Sequence, residues 1–122
     1  MVLSKTVEGF EKDFDFTEGI VSEIKWDSNM LDLLIKVYYF WDEFKNKDLI
    51  IRFRNCRKAT FSMPVVFENI PVNQLENYTL SWFTITGYGV RVEKGLIDVQ
   101  IKTIDNVPKW LCLNCEEIWI ES

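Results

Sequence analysis

Alternation of side chains with period two is clearest in the segment Leu31-Asp32-Leu33-Leu34-Ile35-Lys36-Val37-Tyr38-Tyr39. Its odd-numbered positions are all apolar or aromatic: Leu31, Leu33, Ile35, Val37 and Tyr39. Side chains two apart on an extended backbone share a face, so this pattern indicates a half-buried β-strand. The same period recurs in the segments 49–53 and 96–102.

Strand and turn signals continue outward from this segment in both directions. The predicted strands are Gly19–Trp26, Met30–Trp41, Asp48–Asn55, Arg57–Met63, Thr79–Ile85, Val90–Glu93, Leu96–Ile104 and Trp110–Ile120, the last as one bent strand or a pair. Turns are predicted at 27–29, 94–95 and 106–108, and a bulge near Gly87 and Gly89. The first 17 residues predict an edge strand or a packed arm that carries Phe10, Phe14 and Phe16.

The number and spacing of these strands decide the expected fold class. About eight or nine short strands predict an all-β fold, a single-domain antiparallel sandwich or small barrel over residues 1–122. We expect at most one short helix, near residues 72–76, where Pro64 and Pro71 argue against a central strand. The chain is 48% hydrophobic and 15% aromatic, which supplies a core.

The charge of the chain is acidic and unevenly distributed. The formal net charge is −5, which disfavours nucleic acid, because phosphate binding depends on Lys and Arg. An acidic surface instead steers basic partners. The acidic residues of the N-terminal region are Glu8, Glu11, Asp13, Asp15, Glu18 and Glu23, against Lys12 alone. We therefore expect a protein partner with a basic surface.

Cysteine usage and hydropathy indicate the compartment. Three cysteines cannot all pair within one chain, and the N-terminus lacks the apolar run of a secretory signal. No stretch approaches the roughly 20 apolar residues of a membrane span. We expect a cytoplasmic protein with reduced thiols that does not enter a membrane.

Candidate catalytic and metal-binding groups are scarce. The chain contains no histidine, no phosphate-binding loop and no nucleophile motif. The segment Cys112-Leu113-Asn114-Cys115 has the spacing of a zinc or redox pair, but Cys56 is the sole further sulfur. We interpret these cysteines as small buried hydrophobes. The prediction is a non-enzyme without catalytic residues, metal or cofactor; chemistry based on Lys, Tyr or carboxylates stays open.

A basic group offers a possible anion site. It comprises Arg52, Arg54, Arg57 and Lys58, and the partner strand adds Lys36 and Tyr38 to the face of the first two. Cations beside aromatics are one pattern of nucleic-acid or anion binding. The alternative is an outer sheet face balanced by carboxylates of neighbouring strands, such as Glu23. The acidic total favours this second interpretation.

The aromatic surplus near residues 38–44 suggests a binding surface. Alternation places neighbouring aromatics on opposite faces, so some must be exposed or covered by the N-terminal arm. A surface patch and a second core both remain open. The predicted binding residues are Tyr38, Tyr39, Trp41 and Phe44 as anchors, with Glu11, Asp13 and Asp15 steering the partner.

A succession of three segments carries a family resemblance. It runs through Ile20-Val21-Ser22-Glu23-Ile24-Lys25-Trp26, Leu31-Asp32-Leu33-Leu34-Ile35-Lys36-Val37-Tyr38 and Leu49-Ile50-Ile51-Arg52-Phe53-Arg54-Asn55-Cys56. Over about residues 18–62 it resembles small cytoplasmic β-rich bacterial proteins, including immunity proteins of polymorphic toxin systems. The resemblance implies a protein that neutralises a cognate toxin without catalysis.

Two other roles fit the same sequence. One is a small-molecule or sugar-binding β module that uses an aromatic face or pocket. The other is self-association, because exposed sheet edges pair readily and would give a homo-oligomer.

Overall fold

Two antiparallel sheets make up the structure. A computed structural model describes residues 1–62, 71, 73–74, 82–104 and 106–122, apart from the side chains of residues 107 and 108. Within these residues nine strands form: β1 Val2–Ser4, β2 Ile20–Trp26, β3 Leu33–Tyr39, β4 Lys47–Arg54, β5 Lys58–Phe61, β6 Ile85–Glu93, β7 Leu96–Thr103, β8 Asn106–Cys115 and β9 Glu117–Glu121. The five-stranded sheet has the order β1-β9-β4-β3-β2, and the four-stranded sheet has the order β5-β8-β7-β6. The predicted all-β, sandwich-like fold is confirmed.

The core forms where the inner faces of the two sheets meet. Between β3 and β4, Leu33 pairs with Phe53 and Ile35 pairs with Ile51, and all four side chains are fully buried. In the four-stranded sheet Val99, Ile101, Leu111 and Leu113 play the same part. Because strand side chains alternate between faces, the apolar parity seen in the sequence becomes the inner layer of each sheet.

Several strand boundaries differ from the predictions. The strand predicted over Met30–Trp41 is shorter, because Met30 and Asp42 adopt positive φ angles of 61° and 54° that interrupt an extended backbone. The segment Trp110–Ile120 is divided between β8 and β9, which belong to different sheets. At the break, the Glu116 N–H donates to the Arg54 carbonyl over 2.9 Å.

The segment after residue 71 shows further differences. The turn predicted at 106–108 is wrong, because Asn106 already pairs with Thr103 at the start of β8. Of the strand predicted over Thr79–Ile85, residues 79–81 lie outside the described residues. Trp82 is helical and Phe83 lies in a turn, whereas Thr84 forms a bridge to Ile20 and Ile85 begins β6. Of the helix predicted near 72–76, only residues 73 and 74 are described. The bulge expected near Gly87 is confirmed by a register shift between Ile85 and Gly87.

The N-terminal arm, residues 5–19, packs across one end of the two sheets. It contains a single π-helical turn, Gly9–Asp13, and buries Phe10, Phe14 and Phe16. The Phe10 ring lies 4.8 Å from the Tyr88 ring of β6, and the Phe16 ring lies 5.4 Å from the Tyr39 ring of β3, centroid to centroid. The predicted packed arm is therefore present, and β1 is the predicted edge strand.

Two tyrosine hydroxyl groups hold the arm, one from each sheet. The Tyr39 hydroxyl accepts a hydrogen bond from the Asp15 N–H (2.9 Å) and donates to Asp42 Oδ2 (2.9 Å). The Tyr88 hydroxyl donates to the Phe14 carbonyl (3.0 Å) and accepts from the Phe16 N–H (3.1 Å). These bonds satisfy arm backbone groups that no strand partner reaches.

The two sheets also join directly where the arm enters β2. The Val21 N–H donates to the Phe83 carbonyl (2.9 Å), and the Ile85 N–H donates to the Gly19 carbonyl (2.8 Å). Gly19 is required here, because a Cβ at this position would lie 2.6 Å from Cγ1 of Val37. The arm and the first residues of β2 are thus fixed against both sheets.

Tyr39→Phe should destabilise the protein by about 1–2 kcal/mol, because it removes both hydrogen bonds of a buried hydroxyl group. Tyr38→Phe is the matched control, since the neighbouring hydroxyl bonds only to Asn46 Oδ1 at the surface (3.1 Å) and should cost less than about 0.5 kcal/mol. Urea unfolding measures both changes. Equal losses in the two variants would contradict the structural role of the Tyr39 hydroxyl.

Candidate functional site

An apolar groove opens at the junction of the arm with the two sheets. Its walls include Thr17, Ile20, Phe40, Ile85, Thr86 and Ile104, and its volume is about 620 Å³. Phe40 and Ile104 are each 38% exposed. Since residues from the arm, β2, β6 and the ends of β3 and β7 contribute, the groove depends on the junction described above.

Three aromatic side chains stand at or beside this groove. Trp41 is 41% exposed, and its Nε1–H donates to the Thr17 carbonyl over 2.9 Å. The rings of Tyr38 and Phe40 meet edge to face with their centroids 5.1 Å apart. Of the predicted anchors, Tyr38 and Trp41 each contact a residue of the groove wall, Phe40 and Thr17 respectively, although neither is part of the wall itself.

The other two predicted anchors belong to the interior. Tyr39 is fully buried, and burial raises its pKa to about 12. Phe44 is half-buried, with its ring centroid 5.5 Å from that of Phe14 in the arm. The expectation that Tyr39 anchors a partner is corrected by its burial, because alternation along β3 turns it inward while Tyr38 and Phe40 face outward.

The three predicted acidic residues are all exposed, but only one lies beside the groove. Asp15 Oδ1 accepts a hydrogen bond from the Thr17 N–H (3.0 Å) and another from the Thr17 hydroxyl group. Glu11 and Asp13 lie on or at the end of the π-helical turn, and no contact among the described residues brings them to the groove. Glu18, in contrast, lines it.

Sequence reasoning did not identify Phe40, Ile20 or Ile104 as groove residues. Phe40 shares its parity with Tyr38, so alternation alone could have assigned both to the outer face. Ile20 and Ile104 meet only through the pairing of β2 with Thr84 and the Ile104 N–H bond to the Thr84 carbonyl (3.2 Å). No local pattern reports that contact.

Carboxylates neutralise the three arginines of the predicted basic group, whereas Lys58, on β5, has no ion pair with a described residue. Arg52 lies on the outer face of the five-stranded sheet and forms ion pairs with Asp27 (2.7 Å), Glu121 (2.8 Å) and Asp32 (3.2 Å). The hydrogen bond from Arg52 lowers the pKa of Asp27. The remaining pairs are Arg54 with Glu117 and Arg57 with Glu116. The interpretation as a balanced sheet face holds, although Glu23 pairs with Lys25 rather than with this group.

A second concavity lies on the outer face of the four-stranded sheet. We call it the sheet cleft; its walls include Lys58, Thr60, Gly89, Gln100, Lys102 and Cys112, and its volume is about 800 Å³. No described residue lines both the cleft and the apolar groove. The cleft was not predicted, because its residues come from four strands that are not all adjacent in the sequence.

The two cysteines of the Cys112–Cys115 segment face opposite sides of β8. Cys112 is half-buried in the sheet cleft, whereas Cys115 is fully buried in the core. All three cysteines are free thiols. Cys115 is thus a buried hydrophobe as predicted, while Cys112 is partly open to solvent.

Two features are absent from the described part of the chain. No group of three or more His, Cys, Asp or Glu residues there could hold a metal ion. No helix within the described ranges has the length and apolar character needed to cross a membrane.

The comparisons with known proteins provide no family. No protein-family model matches the chain, and no curated protein matches it.

Arg52→Met should destabilise the protein by about 2 kcal/mol at neutral pH, because it leaves the buried Asp32 carboxylate with the more distant Arg54 (3.7 Å) as its ion-pair partner among the described residues, beside the Asn55 N–H. Arg57→Met is the control, since this exposed ion pair should contribute less than about 1 kcal/mol. Asp27 has a lowered pKa in the folded state, so its stabilisation exists above its unfolded pKa and disappears as the pH falls. The deficit of Arg52→Met in urea unfolding should therefore shrink below about pH 4; a deficit independent of pH would contradict this account.

Iodoacetamide should alkylate Cys112 first and Cys115 only after unfolding. Burial raises the pKa of Cys115 to about 12 and that of Cys56 to about 11, which keeps both thiols protonated and slow to react. Mass spectrometry of peptides, sampled over time with and without urea, measures the order. Equal rates for Cys112 and Cys115 in the folded protein would contradict the placement of β8.

Proposed function

We propose that the chain is a non-enzymatic protein-binding domain that holds an apolar segment of a basic partner in the apolar groove. The observation that carries this proposal is the exposure of Phe40 and Ile104 in one concave surface, with the exposed Trp41 held beside it by Thr17. Aromatic side chains at concave sites are frequent anchors of protein interfaces.

Rigidity of the groove supports the proposal. Trp41 is held by its hydrogen bond to Thr17, and the arm that carries Thr17 is bonded to both sheets. A site whose side chains are already ordered loses less conformational entropy when a partner binds. The anchors therefore need no rearrangement to receive an apolar side chain.

The charge around the groove supports a basic partner. Asp15 and Glu18 lie beside or in its wall, Asp42 and Glu43 follow Trp41 directly, and the chain carries a net charge of −5. Complementary charge at the rim of an interface raises the association rate more than the affinity. Glu11 and Asp13 are exposed further along the arm and would act on the approach of the partner rather than in contact with it.

Within this proposal, the partner class that we favour is a bacterial toxin domain, with this chain as its immunity-type inhibitor in the cytoplasm. The basis is the resemblance over about residues 18–62, together with the acidic charge. An inhibitor of this kind needs a surface that binds the toxin with high affinity, and it needs no catalytic residues. The second candidate remains a small-molecule or sugar-binding module, favoured by the exposed faces of Trp41 and Trp26.

Co-expression with the products of the neighbouring reading frames tests the proposal. We expect a basic domain from that neighbourhood to co-elute with the full chain, and growth inhibition by that domain to be relieved. Trp41→Ala should weaken binding at least tenfold, as expected for an interface anchor worth about 2 kcal/mol. Trp26→Ala is the matched control, because Trp26 is equally exposed (41%) but lies at the opposite end of β2 from the groove residue Ile20.

Other outcomes decide against the proposal. If no neighbouring product binds, or if Trp26→Ala weakens binding as much as Trp41→Ala, the groove is not the interface. A saturable quench of tryptophan fluorescence by one compound of a glycan and metabolite panel, lost in Trp41→Ala, would favour the small-molecule alternative.

A further inference from the structure

The floor of the sheet cleft is built from rows of residues that the strand register places side by side. One row crosses all four strands through Thr60, Cys112, Gln100 and Gly89. The row beside it consists of Lys58, Asn114, Asp98 and Arg91. Directly opposed residues of an antiparallel sheet share a face, so the hydroxyl, thiol and amide groups of these rows point to the same side.

The cleft is positively charged although the chain is acidic. It is lined by Lys58, Arg91, Lys102 and Lys109, against the single carboxylate of Asp98. Arg91 is engaged by Glu93 (3.1 Å) and Asp98 (3.6 Å). The three lysines have no ion pair with a described residue. Three uncompensated cations around one polar floor are therefore available to a ligand.

A register shift in β8 accounts for the position of Lys109 in the cleft wall. Ile101 pairs with Leu111 whereas Thr103 pairs with Asn106, so β8 contains extra residues at this point. Trp110 and Leu111 both pack in the core, and Lys109 lines the cleft. A bulge of this kind redirects side chains at the cost of regular pairing.

Two glycines keep the cleft open without serving the fold. A Cβ at Gly87 or at Gly89 would have no atom of a described residue within 4 Å, and neither glycine adopts a positive φ. Glycine in a strand costs stability through backbone entropy and offers nothing to pack. Gly89 lies directly opposite Gln100, so a side chain there would occupy the space above the polar floor.

We propose that the sheet cleft binds a small molecule that carries several phosphate groups, independently of the apolar groove. Lys58, Lys102 and Lys109 supply the charge, and Thr60 and Gln100 supply hydrogen-bond donors. Lysine binds phosphate as a mobile point charge, and a cleft of about 800 Å³ has the size of a small-molecule site.

The cleft does not suit a nucleic-acid strand. Tyr88 is the one aromatic residue among its described lining residues, and its hydroxyl group is bonded to the arm between the sheets. Binding of single strands combines a basic groove with aromatic faces for the bases. The acidic remainder of the chain also opposes an extended polyanion.

Calorimetric titration of the full chain with tripolyphosphate, at constant ionic strength, tests the proposal. Lys58→Gln and Lys102→Gln should each weaken binding about fivefold, the effect of losing one partly screened charge pair. Lys45→Gln is the control, because it is exposed on the loop before β4. Tripolyphosphate should also slow the alkylation of Cys112, which lies in the cleft floor.

The Gly89→Val variant distinguishes loss of ligand binding in the sheet cleft from loss of folding stability. It should abolish tripolyphosphate binding while keeping or raising the stability in urea, because valine favours strands and meets no atom here. Absence of binding to the native chain, unchanged affinity in folded Gly89→Val, or equal weakening by Lys45→Gln would overturn the proposal. If Gly89→Val does not fold, the lysine variants and the Cys112 protection decide. Citrate binding without tripolyphosphate binding would overturn the assignment to phosphate.

Discussion

The arm between β1 and β2 holds the structure together, because it bonds to both sheets at once. Tyr39 comes from the five-stranded sheet and Tyr88 from the four-stranded sheet, and their hydroxyl groups bind the arm backbone between Phe14 and Phe16. Two sheets that face each other through aliphatic side chains alone could slide, since hydrophobic contact is not directional. Directional bonds to this shared segment, together with the backbone hydrogen bonds that join β2 and β6 at Gly19, Val21 and Ile85, fix the relative position of the sheets and with it the apolar groove.

Local pattern was sufficient for β3 and β4 of the five-stranded sheet but not for β8 and β9, which follow each other in the chain and belong to different sheets. Alternation over 33–39 and 49–53 gave the inner face correctly, because parity follows from the backbone geometry. Leu31, assigned to the same face, precedes β3 and is exposed. The prediction of a turn at 106–108 was wrong, and over 110–120 the sequence left one bent strand and a strand pair open, of which the structure has the pair. In both places the outcome depends on which sheet accepts each strand. The sheet that a strand joins is decided by pairing between segments far apart in the chain, and a short stretch of sequence does not show that pairing.

The residues of the candidate sites likewise include some that the sequence could predict and others that it could not. Tyr38 and Trp41 could be predicted, because an aromatic run on a strand must expose part of its surface. The sequence could not show that Tyr39 is buried while Tyr38 and Trp41 are exposed, because it does not show which face of β3 the arm covers. The sheet cleft was invisible to the sequence, because Lys58, Gln100 and Cys112 become neighbours only through the pairing of β5, β7 and β8.

The two sheets use their cations in opposite ways. On the five-stranded sheet arginines are fixed: Arg52 binds three carboxylates, and the Arg54 guanidinium lies 4.3 Å from the centre of the Trp119 ring. A planar guanidinium suits such multiple contacts, whereas a lysine ammonium group remains a hydrated, mobile charge. On the four-stranded sheet the lysines of the cleft are left without described partners. In this acidic chain, neutralising carboxylates therefore lie beside the arginines of the five-stranded sheet, where the ion pairs fix the side chains. The lysines of the sheet cleft stay mobile and positively charged, as the proposed ligand requires.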